Sequence, residues 1–321
     1  MYTEIYVCCP GNLVTGGTEL LHQLVDKLRK CNLSAYISYY PFNKNFCCPN
    51  AFKIYDTSNK TPVDQECSLL IIPEALTRIA KHYSLLKIAV WWLSVDFYFF
   101  KLHENLFLDW VRNFRSYTKG RIPLKNMHRY IHFHQSEYAR IFLAKHAISS
   151  TFLSDYLNHT HLKSYDKNKT RLNVILYNPK KGIKITKHLI SIFKNLTFIP
   201  LENMSNIEIR QHLENAKIYI DFGFHPGKDR FPREAVMAGC CVITGLKGAA
   251  HNPIDIPINN QYKINEESRK FLYNFEKIVT DIFNNFDHHS EQFNNYRNII
   301  KIEKKLFEQQ VEKIFCSNSI I

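Results

Sequence analysis

The chain has 321 residues, 45% of them hydrophobic and 14% aromatic, with only 10 Gly and 12 Pro, so compositions that stay disordered are excluded and two domains of roughly 150 residues each are expected. Lys and Arg total 42 against 29 Asp and Glu, a formal charge of +13. Such an excess suits an anionic partner (nucleic acid, a negative membrane face or a phosphorylated small molecule), but a solvated Lys-rich surface gives the same balance, so charge does not choose a function.

Residues 1–7 read as a strand and not as a signal peptide. The pattern gives a strand over 4–9, a turn-rich loop over 10–17 and a helix over 18–29, with Leu20, Leu21, Leu24, Val25 and Leu28 on one face and Thr18 as its N-cap. Further strands are expected at 35–40, 69–72, 86–92 and 130–134. The most apolar stretch, 85–102, is interrupted by Lys87, Ser94, Asp96 and Lys101, which a spanning helix would not tolerate cheaply. The composition turns polar over 159–171, where the domain boundary is expected. The second half alternates strand 172–177, helix 185–193, strand 196–201, helix 205–215, strand 218–222, helix 233–238 and strand 241–244. Residues 291–315 carry an imperfect apolar stripe beside many Lys, suited to a helix packed across the domains or to one lying on a membrane. The nine Cys show no CxxC and no Cys/His array, and most read as small buried hydrophobes in a reducing cytosol.

Three segments carry chemistry. In TGGTELLHQL, between a strand and a helix, Gly16 and Gly17 allow close backbone approach and the helix start offers N–H groups; the same pair also suits a purely structural turn. YNPKKG follows the first strand of the second half, where open α/β sheets bind ligands, so Asn178, Lys180 and Lys181 are donor-side candidates and the lysines could neutralise a diphosphate. DFGFHPGKDRFPREAVMAGCCVITG is the strongest: His225, Gly227, Lys228, Asp229, Arg230 and Arg233 precede or open an apolar helix, and Glu234 could accept two ribose hydroxyls. A self-satisfied salt-bridge turn is the competing reading of that loop.

These segments resemble bacterial surface-polysaccharide (capsule and O-antigen) glycosyltransferases of the group 1 type with the GT-B fold. The GG loop resembles their first-domain loop, YNPKKG their donor-phosphate region, and PREAVMAGCCVITG their EA-containing helix and following strand. The resemblance implies an α/β fold of two Rossmann-like domains facing a central cleft: 1–165 on the acceptor side, 172–290 holding the nucleotide-sugar, and 291–321 as a helix returning toward the first. It also implies that Lys181 contacts the donor phosphates and Glu234 the ribose. Where the retaining members place an earlier Glu, this chain has Pro226, so His225, Lys228 or Asp229 is expected to reshape that part of the site.

The expected function is transfer of a sugar from a nucleotide-sugar to a glycan or lipid-linked acceptor. Arg230 and Lys181 would stabilise the leaving group and, if the reaction inverts configuration, Asp96 would serve as base. Thr18, Glu19 and Trp92 are further acceptor-side candidates; Trp91 and Trp92 suit a core as well as a sugar platform, Asp96 a buried capping role, and Glu19 a first-turn acid. His132 and His134 share a strand face but lack a third ligand, so metal-independent transfer is expected, with no cofactor. A cytoplasmic location is expected, with peripheral contact to an anionic membrane at its inner face and no nucleic-acid partner. A catalytically inert sugar-nucleotide-binding module and a sugar-nucleotide epimerase are the alternatives.

Overall fold

The computed structural model describes residues 2–101 and 105–317. Its first sheet holds six parallel strands, β1 (Glu4–Pro10), β2 (Ala35–Tyr40), β3 (Ser68–Pro73), β4 (Lys87–Trp92), β5 (Ile131–His134) and β6 (Thr151–Phe152), in the order β2-β1-β3-β4-β5-β6. All six residues of β3 are buried, because a parallel sheet is covered on both faces; this is why SLLIIP runs without polar alternation. Among the connecting segments are α1 (Gly16–Lys30), α2 (Val95–Tyr98), α3 (Leu106–Thr118) and α4 (Glu137–Lys145). In α1, Leu20, Leu21, Leu24, Val25 and Leu28 are all buried, each contributing about 1.5–3 kcal/mol.

The second sheet has four parallel strands, β7 (Leu172–Tyr177), β8 (Thr197–Pro200), β9 (Ala216–Asp221) and β10 (Cys241–Thr244), in the order β10-β9-β7-β8. The chain around it forms α5 (His159–Leu162), α6 (Ile183–Ile192), α7 (Asn206–Asn215), α8 (Arg230–Met237), α9 (Phe271–Asn284), α10 (Phe286–Glu291) and α11 (Asn294–Val311). Both sheets are wound alike: the first strand of each lies between its second and third, so the direction of winding reverses between β1 and β3 and between β7 and β9. A crevice opens beyond the carboxyl ends of strands at such a reversal.

The chain divides into one unit of Met1–Asp155 with Lys305–Ile321 and a second of Tyr156–Lys304. Residues 156–165, expected with the first domain, belong to the second because α5 packs on α7 and α8, and Arg210 donates to the carbonyls of His161 and Lys163, both at 2.9 Å. Residues 291–304 also belong there: Phe293, Tyr296 and Ile300 enter the second core. Phe307 and Val311 are buried further along α11, so most of its apolar stripe is spent on packing, while Ile302 and Leu306 stay exposed.

The N-cap of α1 is Thr15, not Thr18. The Thr15 hydroxyl accepts from the Thr18 N–H at 3.3 Å and the Thr18 hydroxyl accepts from the Thr15 N–H at 2.9 Å, a reciprocal box that starts the helix at Gly16. β6 has only two residues, too short for a periodic signal, and no strand is expected there from sequence.

Candidate functional site

β7 and β9 end side by side at Tyr177 and Asp221, and the loop after each carries one of the chemistry-bearing segments. The two loops touch through glycine. Gly182 has φ +60°, and a Cβ there would lie 1.8 Å from the carbonyl oxygen of Phe222; a Cβ on Gly223 would lie 2.8 Å from the Gly182 Cα. No other residue permits that approach. The Asn178 side chain accepts the Lys180 N–H at 3.0 Å, so it shapes the turn, while Lys180 is exposed.

This contact gathers a cluster of charge. Lys181 Nζ hydrogen-bonds the Asp229 carboxylate and stands 3.4 Å from Asp221 Oδ1. The fully buried His225 places Nδ1 2.6 Å from Asp229 Oδ2 and Nε2 3.2 Å from the Asp221 carbonyl oxygen. Burial by itself would lower the Lys181 pKa, but Asp221 and Asp229 outweigh it and raise it. Burial would likewise raise Asp229, yet Lys181 and His225 hold it well below the usual carboxylate range. His225 is fixed through its backbone too, since its carbonyl accepts the Ala249 N–H at 2.8 Å.

Asp229 precedes α8 but makes no side-chain cap there, because its carboxylate is engaged by Lys181 and His225. The first-turn N–H groups of α8 are therefore not capped by it and keep their positive dipole character, with the partly exposed Arg230 at the first position. Arg233, expected to face the donor, is instead fully buried. Its Nη1 donates to Glu303 Oε2 at 2.9 Å and its other nitrogens to the carbonyls of Asp229 and Lys228, both at 3.3 Å. Lys228 Nζ lies 2.7 Å from the other Glu303 oxygen, Oε1. The self-satisfied reading thus holds for Lys228 and Arg233, which brace the loop against α11. Glu234 is 8% exposed, with Oε1 3.7 Å from His161 Nε2. Gly227 is buried in the loop and Pro226 half-buried beside it.

The candidates in the first unit are more deeply buried than their roles require. Trp92 is 0% exposed and its indole N–H donates to His132 Nδ1 at 3.0 Å, while Trp91 donates to the Leu153 carbonyl; both are core, and neither is a sugar platform. Asp96 is buried in the first turn of α2 and bonded by the Tyr138 hydroxyl, the arrangement of a structural carboxylate. Glu19 is buried and accepts from the Tyr55 hydroxyl at 2.7 Å, and Thr18 Oγ1 is spent on the Leu13 carbonyl at 2.9 Å. Gly16 and Gly17 open α1, where a Cβ on Gly17 would meet only ordinary contacts at 3.9 and 4.0 Å, so the packing does not demand its absence. Among the described residues no group of three or more His, Cys, Asp or Glu is arranged to hold a metal ion, and His134 bonds Ser150 Oγ at 2.9 Å.

Sequence reasoning missed four residues. Glu303 is the single acid inside the basic run KIEKK, a signal that could have been read as the partner of a buried cation. Asp221 ends β9 and was noted only as the start of the loop. Glu266 accepts the Gly223 N–H at 2.8 Å, holds Lys247 at 3.2 Å and borders a cavity of about 390 Å³ whose wall includes Lys184, His188 and Arg269. Glu74 is buried at the end of β3 and accepts the Leu93 N–H at 2.9 Å.

No known family profile matches the chain, and a search of curated proteins finds no match. Solved structures do match over nearly its whole length. A sucrose-phosphate synthase from Thermosynechococcus elongatus superposes with a TM-score of 0.70 at 8% identity, covering 98% of each chain. WaaG, a glycosyltransferase involved in lipopolysaccharide biosynthesis, gives 0.62 at 11% identity, over 98% of this chain and 100% of that one. The fold is that of the GT-B glycosyltransferases. A third solved structure, Anabaena Alr3699/HepE in complex with UDP-glucose, gives 0.64 at 11% identity over 98% and 99% of the two chains.

Proposed function

We propose that this GT-B chain is a glycosyltransferase moving a sugar from a nucleotide-sugar donor to a glycan or lipid-linked acceptor in surface-polysaccharide biosynthesis, at the cytoplasmic face of a membrane and without a metal ion or cofactor. The observation that carries the reading is the meeting of the β7 and β9 loops at the winding reversal of the second sheet, with Lys181, Arg230 and the start of α8 at the carboxyl ends of the strands. That the relatives include a protein solved with UDP-glucose and one acting in lipopolysaccharide biosynthesis supports the donor and acceptor classes.

In this reading the donor diphosphate lies over the first turn of α8, and the nucleotide ribose reaches Glu234. As the glycosidic bond to phosphate breaks, negative charge grows on the leaving oxygen. Arg230, Lys181 and the α8 N–H groups stabilise it in place of a divalent ion. Asp221 and Asp229 hold the Lys181 ammonium in position, so little reorganisation is needed at the moment of transfer. Asp229, anchored on His225, stands three residues after Pro226 and takes over the donor-sugar contact. Exclusion of water from around the bound donor favours transfer over hydrolysis.

The test is a thermal-shift titration with UDP, GDP, dTDP and CMP, with Arg230→Ala in parallel. One nucleotide at about a hundred times its dissociation constant adds roughly 2.7 kcal/mol of stability, and the variant loses that shift. Absence of a shift with every nucleotide overturns the donor site, whereas a shift without sugar transfer favours the inert-module alternative.

A further inference from the structure

A surface helix of a water-exposed protein normally buries its apolar residues and exposes its polar ones. α3 does the reverse. Asp109 and Ser116 are its buried residues, 4% and 7% exposed, while Leu106, Phe107, Trp110, Phe114 and Tyr117 stand out at 84%, 68%, 62%, 56% and 56%. Three of the rings stack into a continuous strip: Phe107 and Trp110 lie 6.2 Å apart at 27°, Trp110 and Phe114 5.9 Å apart at 14°. Scattered exposed apolar residues are ordinary, but a strip of this size on one helix marks a surface that something covers.

Charge says what covers it. Arg112, Arg115, Lys119 and Arg121 lie on the helix and in the turn after it, and the only acid over 105–121, Asp109, is buried 3.6 Å from Arg112. A second copy of this +13 chain would bring like charges together at the face, whereas anionic lipid headgroups would neutralise them. Trp, Tyr and Phe interleaved with Arg and Lys suit the boundary between headgroups and acyl chains. Among the described residues no helix is long and apolar enough to cross a membrane. We propose that α3 lies in the surface of an anionic bilayer, with Phe107, Trp110 and Phe114 at the acyl boundary and Arg115 and Lys119 among the headgroups. The assignment rests on the membrane location proposed above and names the surface that makes the contact.

Full-length protein is sedimented with vesicles of mixed phosphatidylglycerol and phosphatidylcholine, and with phosphatidylcholine alone. The wild type partitions to the anionic vesicles and only weakly to the neutral ones. Phe107→Ser/Trp110→Ser/Phe114→Ser and Arg115→Glu/Lys119→Glu each lower that partition at least about tenfold. A second readout needs no variant: Trp91 and Trp92 are buried, so the exposed Trp110 reports by a blue shift of fluorescence when vesicles are added. Equal sedimentation of wild type and aromatic variant, or an unshifted Trp110 emission, overturns the proposal. So does a self-association of the wild type that the aromatic variant abolishes, which would give the face to a second copy. Vesicle binding is read without donor or transfer, and the nucleotide titration without vesicles, so failure of either leaves the other standing.

Discussion

Arg233 and Glu303 are charges placed where water cannot reach, and the loop between β9 and α8 depends on their pairing. Removing one partner leaves the other buried and uncompensated. Arg233→Ala is expected to cost about 3–5 kcal/mol by denaturant unfolding, and Arg233→Met with Glu303→Met less than the sum of the single changes. Arg230 is partly exposed at the start of α8, and Arg230→Ala should lower turnover roughly a hundredfold in a protein that still unfolds cooperatively. Glu74 gives a pH signature. Burial, only partly offset by backbone N–H donors, raises its carboxyl from 4.5 to about 7. The folded state then holds a proton that the unfolded chain has released, so stability falls as pH rises from near the unfolded value through about 7, by about 3 kcal/mol in all. Unfolding of Glu74→Gln followed between about pH 5 and 8 should lack that slope.

At the scale of elements, the site is two loops pressed together at Gly182 and Gly223. Gly182→Ala adds a Cβ where the Phe222 carbonyl already sits, at a positive φ, so the loops must separate. A loss of at least about 2 kcal/mol is expected, with nucleotide affinity falling alongside it because Lys181 is the next residue in the chain. The strands of this half were legible in the sequence. The predicted spans 172–177 and 241–244 coincide with β7 and β10, since a short apolar run bounded by polar or glycine-containing turns has few other ways to fold. The N-cap of α1 was misplaced by three residues and its first helical residue by two, because Thr15 and Thr18 are equally good caps by composition and only their reciprocal hydrogen bonds decide between them.

At the scale of the whole molecule, two units carry separate cores, and the last residues of the chain belong to the first. Phe307 is fully buried there, so Phe307→Ala should destabilise the first unit by about 3–5 kcal/mol. Differential scanning calorimetry should then lower one transition in this variant, while nucleotide raises the other. The α/β architecture and the basic balance followed from the sequence by itself, because strand and helix periods and charge are local properties written in order along the chain. Which cations remain available did not follow. Arg233, Lys228 and Trp92 satisfied every compositional criterion for a binding role, yet Glu303 lies 70 residues beyond Arg233 and His132 lies 40 beyond Trp92. Only tertiary packing brings such partners together, and burial then decides whether a charge or a ring serves a ligand or the fold.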